Sequence, residues 1–192
     1  MTTFDFDFGN GPVPAHRHEN PDGTEGGWVA ETASVEPTCF VGPYARVFED
    51  AQVRGKARVY GNAEVSGEAW ICEDAVVSDN AMVFENAVVR GGALVCGDAK
   101  VYGNAVVYGE TQVYGNALVT GNARIFGKTR VSGNARVFEN AQVSGNTWVR
   151  GSAKVFGKAI VEGGTVLEGE AGVFGDTHLQ GGYQGHGMDS GG

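Results

Sequence analysis

Residues 101–131 read VYGNAVVYGETQVYGNALVTGNARIFGKTRV. Val101, Val107, Val113, Val119, Ile125 and Val131 fall six residues apart. Followed outward in both directions, the same step holds without an insertion or deletion from Val29 to Leu179. That makes 26 consecutive aliphatics, 22 of them Val, the others being Ile71, Ile125, Leu167 and Leu179. Two residues before each of these positions stands a small residue, Ala in 19 cases and Thr in five, with Gly27 and Cys39 as the exceptions. Two residues after, Gly dominates. A fixed internal period of this kind is the mark of a repeat architecture.

Strand alternation gives the period its meaning. Residues two apart on a strand point the same way, so each aliphatic and the small residue before it face one side, the interior. The small residue lets the chain bend there without overfilling the core. Gly and Asn after the strand supply positive-φ backbone, which strains other residues. Short strand followed by corner, repeated, closes a polygon. Three six-residue sides make an 18-residue triangular coil, and coils stack through parallel hydrogen bonds. The 26 sides predict nearly nine coils, a rod about 40 Å long.

Composition fits short strands and tight corners. The chain has 192 residues, 32 Gly but only 5 Pro, and 42% hydrophobic residues. Collagen needs Gly at every third place, and a disordered linker lacks the apolar content. A net charge of −9 argues against a nucleic-acid partner, since phosphate contacts need basic surface. Cys39, Cys72 and Cys96 make no disulfide framework, and the chain reads as belonging to a reducing, cytoplasmic setting. No apolar run reaches membrane-spanning length, and Met1 to Asn20 shows no signal-peptide core.

The pattern resembles the hexapeptide-repeat family of left-handed β-helices. The likeness covers residues 29–181 and is best in the first turns, where VGPYA at 41–45 has aliphatic, Gly, two residues, then Ala. Later turns depart from it, because Gly moves one place on. The resemblance implies an all-β, single-stranded left-handed parallel β-helix over residues 28–181. It also implies a usually trimeric assembly, found in acyltransferases, γ-class carbonic anhydrases and non-catalytic scaffolds alike. GNA arrays such as GNA at 103–105 look at home in bacterial and phage genomes. Residues 1–27, with FDFDF at 4–8, read as an N-terminal cap or arm, and residues 182–192 as a flexible Gly-rich tail.

Residues 18 apart stack, so each face can be read as columns. Phe48, Phe84, Tyr102, Phe138, Phe156 and Phe174 form an aromatic stripe, interrupted by Ser66 and Thr120. Arg46, Lys100, Arg136 and Lys154 stand beside it. Trp70, Val88 and Val106 stack on the next face. These thirteen residues are the candidate subunit interface or binding surface, because contiguous outward apolar patches mark contacts. Asn86, Asn104, Asn122 and Asn140 share one corner, and Thr111, Thr129, Thr147 and Thr165 share one inward column. Both ladders read as structural, hydrogen-bonded along the rod. Glu49, Glu73, Asp79, Glu85 and Glu139 replace the corner Gly and read as solvated corner charges.

Enzymes that share the resemblance use a coil His as general base beside a cleft, or three His on one metal. Here the four His are His16, His18, His178 and His186, none of them on the coils between Val29 and Val173. No loop breaks the repeat to shape a cleft. HRH at 16–18 has strand spacing for a metal, but two ligands are too few for zinc. The reading is therefore no catalytic residue, no metal and no cofactor. Three functions remain in view. The first is a non-catalytic scaffold or oligomerisation module, with itself as partner in a homotrimer. The second is an acyltransferase-like enzyme with an intersubunit site, for which only His178 could serve. The third is a module holding a small anionic, nucleotide-like ligand between subunits. Two different apolar faces that meet make a heterologous contact, and a triangular prism suits three-fold closure, though a face that pairs with itself gives a dimer.

Overall fold

The structure, a computed structural model, describes residues 3–185 and the strand Asp189–Ser190. Every regular element among them is β. Strands β1 (Phe4–Asp7), β2 (Pro12–Glu19) and β3 (Glu25–Ala30) open the chain. After them each side of the coil holds a strand of two or three residues, as in β4 (Ser34–Val35) and β5 (Phe40–Val41). The strands form three sheets: sheet A with 12 strands beginning at β1, sheet B with 9 beginning at β4, and sheet C with 9 beginning at β5. Trp28 pairs with Arg46, Ser34 with Gln52 and Phe40 with Arg58, always 18 residues on. The result is a β-solenoid of about 8 parallel stacked turns of about 18 residues.

The core is the aliphatic column of each sheet with its small neighbours. Val41 through Val173 at every sixth place, and every Ala two before them, are fully buried. Val35 and Leu179, on the first and last coils, are only partly covered. Gly27 breaks the small-residue rule for a steric reason. A Cβ there would lie 2.1 Å from the Ala45 carbonyl oxygen.

Parallel pairing continues past residue 181, where the hexad count alone ends the solenoid. Tyr183–Gln184 pairs with Val166–Leu167, and Asp189–Ser190 with Gly172–Val173, each 17 residues on rather than 18. Gly181 and Gly182, at φ 77° and 97°, make that corner. The segment read as a flexible tail therefore carries strands in its described part. His186 lies outside the described residues.

The corners show how the coils are held in register. Asn104 Nδ2 donates to Asn122 Oδ1 at 3.1 Å, and Asn122 to Asn140 at 3.0 Å, between sheets A and B. A second ladder, Asn62 to Asn80 to Asp98, runs between sheets C and A. The Thr column behaves otherwise than a ladder along the rod. Thr111, Thr129, Thr147 and Thr165 each donate to the carbonyl three residues earlier in their own coil. The inward hydroxyl satisfies its own turn, whereas the outward Thr32 and Thr38 hydroxyls reach the Glu49 and Gly55 carbonyls of the next coil.

The corner acids also prove to be more than solvated charges. All five have positive φ, from 58° to 63°, a region costly to residues with a Cβ. Glu49, Asp79, Glu85 and Glu139 then accept the backbone N–H of Gly67, Gly97, Gly103 and Gly157, one coil on, at 2.6–2.9 Å. Glu73 instead faces Arg90 at 3.9 Å. A carboxylate–N–H bond is charge-assisted, which offsets the backbone strain.

At the N-terminal end, open strand edges need covering. β2 lies antiparallel on β3, and β1 on β2, which covers sheet A. Phe8, Ala15 and Ala30 form a second small core there, with Phe6, Trp28 and Phe48 against it. Side chains cover sheet C. Asn20 Oδ1 accepts the Val41 N–H at 2.8 Å, Asn20 Nδ2 donates to Val41 O at 3.2 Å, and His18 Nε2 donates to Cys39 O at 3.0 Å. One amide and one imidazole thus stand in for a missing strand.

Two tests follow from these contacts. Glu139→Gly loses the bond to Gly157 but relieves the backbone, whereas Glu139→Ala loses the bond and keeps the strain. Denaturant unfolding should rank Ala below Gly by about 1 kcal/mol; equal stabilities would show that the positive-φ strain is absent. His18 is buried, and burial holds its pKa below 6.5, with His16 adding repulsion against the Cys39 hydrogen bond and Glu19. The unfolded chain then takes up a proton more readily than the folded one, so stability falls as pH drops through about 6.5. Comparison with His18→Gln isolates this from the neighbouring His16–Glu31 pair, 2.8 Å apart. The variant should lose less stability between about pH 7 and pH 5, and parallel pH profiles would count against the effect.

Candidate interaction surface

The stacking of coils sets the geometry of every outward column. A side chain on one coil lies directly over its counterpart 18 residues on, so flat rings stack. Phe84 lies on Tyr102 at 4.7 Å and 7°, and Phe138 on Phe156 at 4.9 Å and 3°. Phe156 lies on Phe174 at 5.3 Å, and Tyr108 on Phe126 at 5.0 Å. These rings are half-buried, because each covers its neighbour.

The stripe is therefore broken into separate stacks rather than one open face. Ser66 and Thr120 interrupt it. Phe48 is taken up by the N-terminal hairpin, stacked on Phe8 at 4.9 Å. Arg46, beside it, pairs with Glu64 at 3.4 Å. Lys100, Arg136 and Lys154 are exposed. Arg136 and Lys154 sit on paired positions of adjacent strands, so two like charges face solvent together beside Phe138 and Phe156.

On sheet B, Trp70 pairs with Val88 and Val88 with Val106, which places them in one unbroken column. Trp70 is 42% exposed, with the Arg54 guanidinium 5.2 Å from its ring. Val88 and Val106 are half-buried. This column lies one corner away from the Phe84–Tyr102 stack, across the Asn ladder. On sheet C, Trp148 is held between Arg130 and Arg150, 4.9 Å and 5.6 Å from its ring, and Arg150 pairs with Glu168 at 2.8 Å.

The catalytic candidates sit in unremarkable surroundings. His178 is on the outside of the last strand of sheet B, its side chain 53% exposed, with Nε2 2.9 Å from Glu162 Oε1. His16 pairs with Glu31, and His18 serves the cap. Burial raises the thiols of Cys39, Cys72 and Cys96, which disfavours the reactive thiolate. Among the described residues no group of three His, Cys, Asp or Glu is placed to hold a metal. No helix among them is long and apolar enough to cross a membrane.

One concave feature escaped the column reading altogether. A cleft of about 530 Å³ lies between the loop after β2 and the first coils of sheet C, lined by Pro21, Asp22, Thr38, Phe40, Lys56, Arg58 and Tyr60. Period-18 stacking puts Thr38 over Lys56 and Phe40 over Arg58, a signal present in the sequence. The wall supplied by Pro21 and Asp22 is a tertiary contact that no spacing announces.

The repeat itself has a known counterpart. Residues 75–91, 112–127 and 129–145 match the family model of the YdcK beta solenoid repeat. A comparison with curated proteins finds no match. The chain is a β-solenoid repeat protein.

The ring stacks carry a graded expectation. Phe156 contacts rings on both sides, whereas Phe174 is stacked on Phe156 alone among the described residues. An aromatic pair adds about 0.5–1.5 kcal/mol beyond area burial. Phe156→Ala should therefore cost measurably more in denaturant unfolding than Phe174→Ala. Equal losses would mean that stacking along the column contributes nothing.

Proposed function

We propose that this chain is a non-catalytic, left-handed hexapeptide-type solenoid that serves as a scaffold by holding three copies of itself side by side. The observation that carries the reading is the column Trp70, Val88 and Val106 on sheet B, continuous over three coils, with Trp70 still 42% exposed. A neighbouring face bears a different apolar surface, the Phe84–Tyr102 and Phe138–Phe156–Phe174 stacks. Two unlike apolar surfaces on adjacent faces favour a heterologous contact, and on a three-sided rod such contacts close after three copies. The rings already cover one another within the chain, so the larger gain on association belongs to sheet B.

Full burial of a large apolar side chain contributes about 1.5–3 kcal/mol. Several partly exposed ones together must outweigh an association cost of about 4–15 kcal/mol. The exposed Lys100, Arg136 and Lys154 lie on the other face of the contact. Their charge favours a partner face bearing carboxylates, such as the free oxygens of the corner acids.

Light scattering of the 20.1 kDa chain should give about three times that mass at micromolar concentration. Val88→Glu combined with Val106→Glu should lower it to one chain while circular dichroism remains that of a β protein. A wild-type monomer would overturn the assembly, and a dimer would remove its three-fold form. Acyl-coenzyme A turnover that disappears in His178→Ala would overturn the non-catalytic part.

A further inference from the structure

The aromatic side chains of this rod fall into two kinds. Most stack on a ring one coil away or carry an arginine over their face. Phe40 and Tyr60 do neither. Tyr60 has Gly42 on the coil before it, so close that a Cβ on Gly42 would lie 2.8 Å from the Tyr60 Cβ. On the coil after it stands the buried Ser78. Its ring has no column mate and is 40% exposed. Phe40 has Arg58 as its pairing partner one coil on and no coil before it. Both rings turn to the same cleft of about 530 Å³, within the size range of small-molecule pockets.

Two cations line that cleft, Lys56 and Arg58. Both are exposed, and neither forms an ion pair among the described residues, unlike Arg46, Arg90, Lys128, Arg150 and Lys158. In a chain of net charge −9, two cations without an acidic partner and two rings without a stacking partner thus share one cleft.

The far wall is built rather than loose. Asn20 N–H donates to Thr24 O at 3.0 Å and Gly23 N–H to Asn20 O at 2.8 Å. Thr24 donates to Asp22 Oδ1 through both its hydroxyl, at 2.6 Å, and its N–H, at 3.0 Å. The Asn20 side chain ties the loop to Val41. These bonds keep Asp22 ionised, lowering its pKa, so the rim opposite the cations is negative. A ligand with several negative charges would meet that carboxylate, whereas one with a single compact anionic group need not.

We propose that the cleft formed by Pro21, Asp22, Phe40, Lys56, Arg58 and Tyr60 binds a small aromatic molecule with one anionic group, the anion at Lys56 and Arg58 and the ring between Phe40 and Tyr60. Phosphate monoester and carboxylate share this chemistry. A guanidinium offers two parallel N–H donors to either, and an ammonium adds a point charge. Face-on contact with Phe40 and Tyr60 supplies the apolar part, as rings elsewhere on the rod supply it to one another. The site lies within one chain, so it does not depend on the assembly proposed above.

The test is a titration of the full chain, followed by amide NMR shifts, with phenyl phosphate, benzoate and inorganic phosphate as probes. Phenyl phosphate or benzoate should saturate at low millimolar concentration or below, shifting the amides of Phe40 and Tyr60, and the tighter of the two names the anion. Inorganic phosphate should bind at least about tenfold more weakly, a difference of about 1.4 kcal/mol. Lys56→Ala with Arg58→Ala should weaken binding by about tenfold or more, and Tyr60→Ala by several-fold. Arg124→Ala, which removes an exposed cation on sheet B, should leave binding unchanged. The proposal is overturned if neither ring-bearing probe saturates at about 10 mM, if inorganic phosphate binds as well as they do, or if Arg124→Ala weakens binding as much as the cleft variants.

Discussion

Backbone hydrogen bonding of each coil to the next, in a register of 18 residues, is the constraint from which the rest of this molecule derives. A two-residue strand has no stability of its own, and a single triangular coil cannot enclose a core. Only when the next coil supplies acceptors, as the Ala51 and Val53 carbonyls do for the Ser34 and Glu36 N–H groups at 2.9 Å, does each side become a strand. The inward aliphatics then meet their copies above and below, and the core becomes one continuous column. Any residue inserted in a side would shift every later contact, which is why the period holds without exception for so long.

The same constraint makes like stack on like. At the corners it produces amide ladders, and on the faces it produces parallel rings. It also explains the acids in place of Gly. A carboxylate at positive φ leans toward the next coil and finds a Gly N–H there, and the coil after an acid always carries Gly at that place. Register and hydrogen bonding select the pair together: at Gly67, between Glu49 and Glu85, a Cβ would lie only 2.6 Å from the Glu85 nitrogen.

Such a stack is one-dimensional, and its ends are its weak points. The N-terminal segment covers sheet A with real strands and sheet C with the side chains of His18 and Asn20. The loop that sets Asn20 in place also builds the wall of the Lys56–Arg58 cleft, so covering the end and creating a concave site are one structural event. The smooth sides of the rod offer little concavity, which separates the apolar columns proposed for association along the length from the cleft proposed for a small molecule at the tip.

The hexad from Val29 to Leu179 by itself determined the solenoid, the 18-residue turn, the inward column and the stacking of Phe84 on Tyr102 or Asn104 on Asn122. All of these follow from a local period and strand alternation. Four features needed the tertiary structure. The inward Thr hydroxyls turned back into their own coils, because the position within the turn, not the spacing, decides which carbonyl a hydroxyl meets. The corner acids bonded to the next coil, because the separation of backbones sets what a carboxylate can touch. Pairing ran on past Gly181–Gly182, because two positive-φ glycines close a corner one residue short and break the count. The cap and its cleft came from residues outside the period, where Asn20 meets Val41 and Asp22 shares a cleft with Lys56 only once the chain has folded back on its first coils. Periodicity reports what repeats; contacts between the repeat and what lies beyond it depend on positions in space that no spacing encodes.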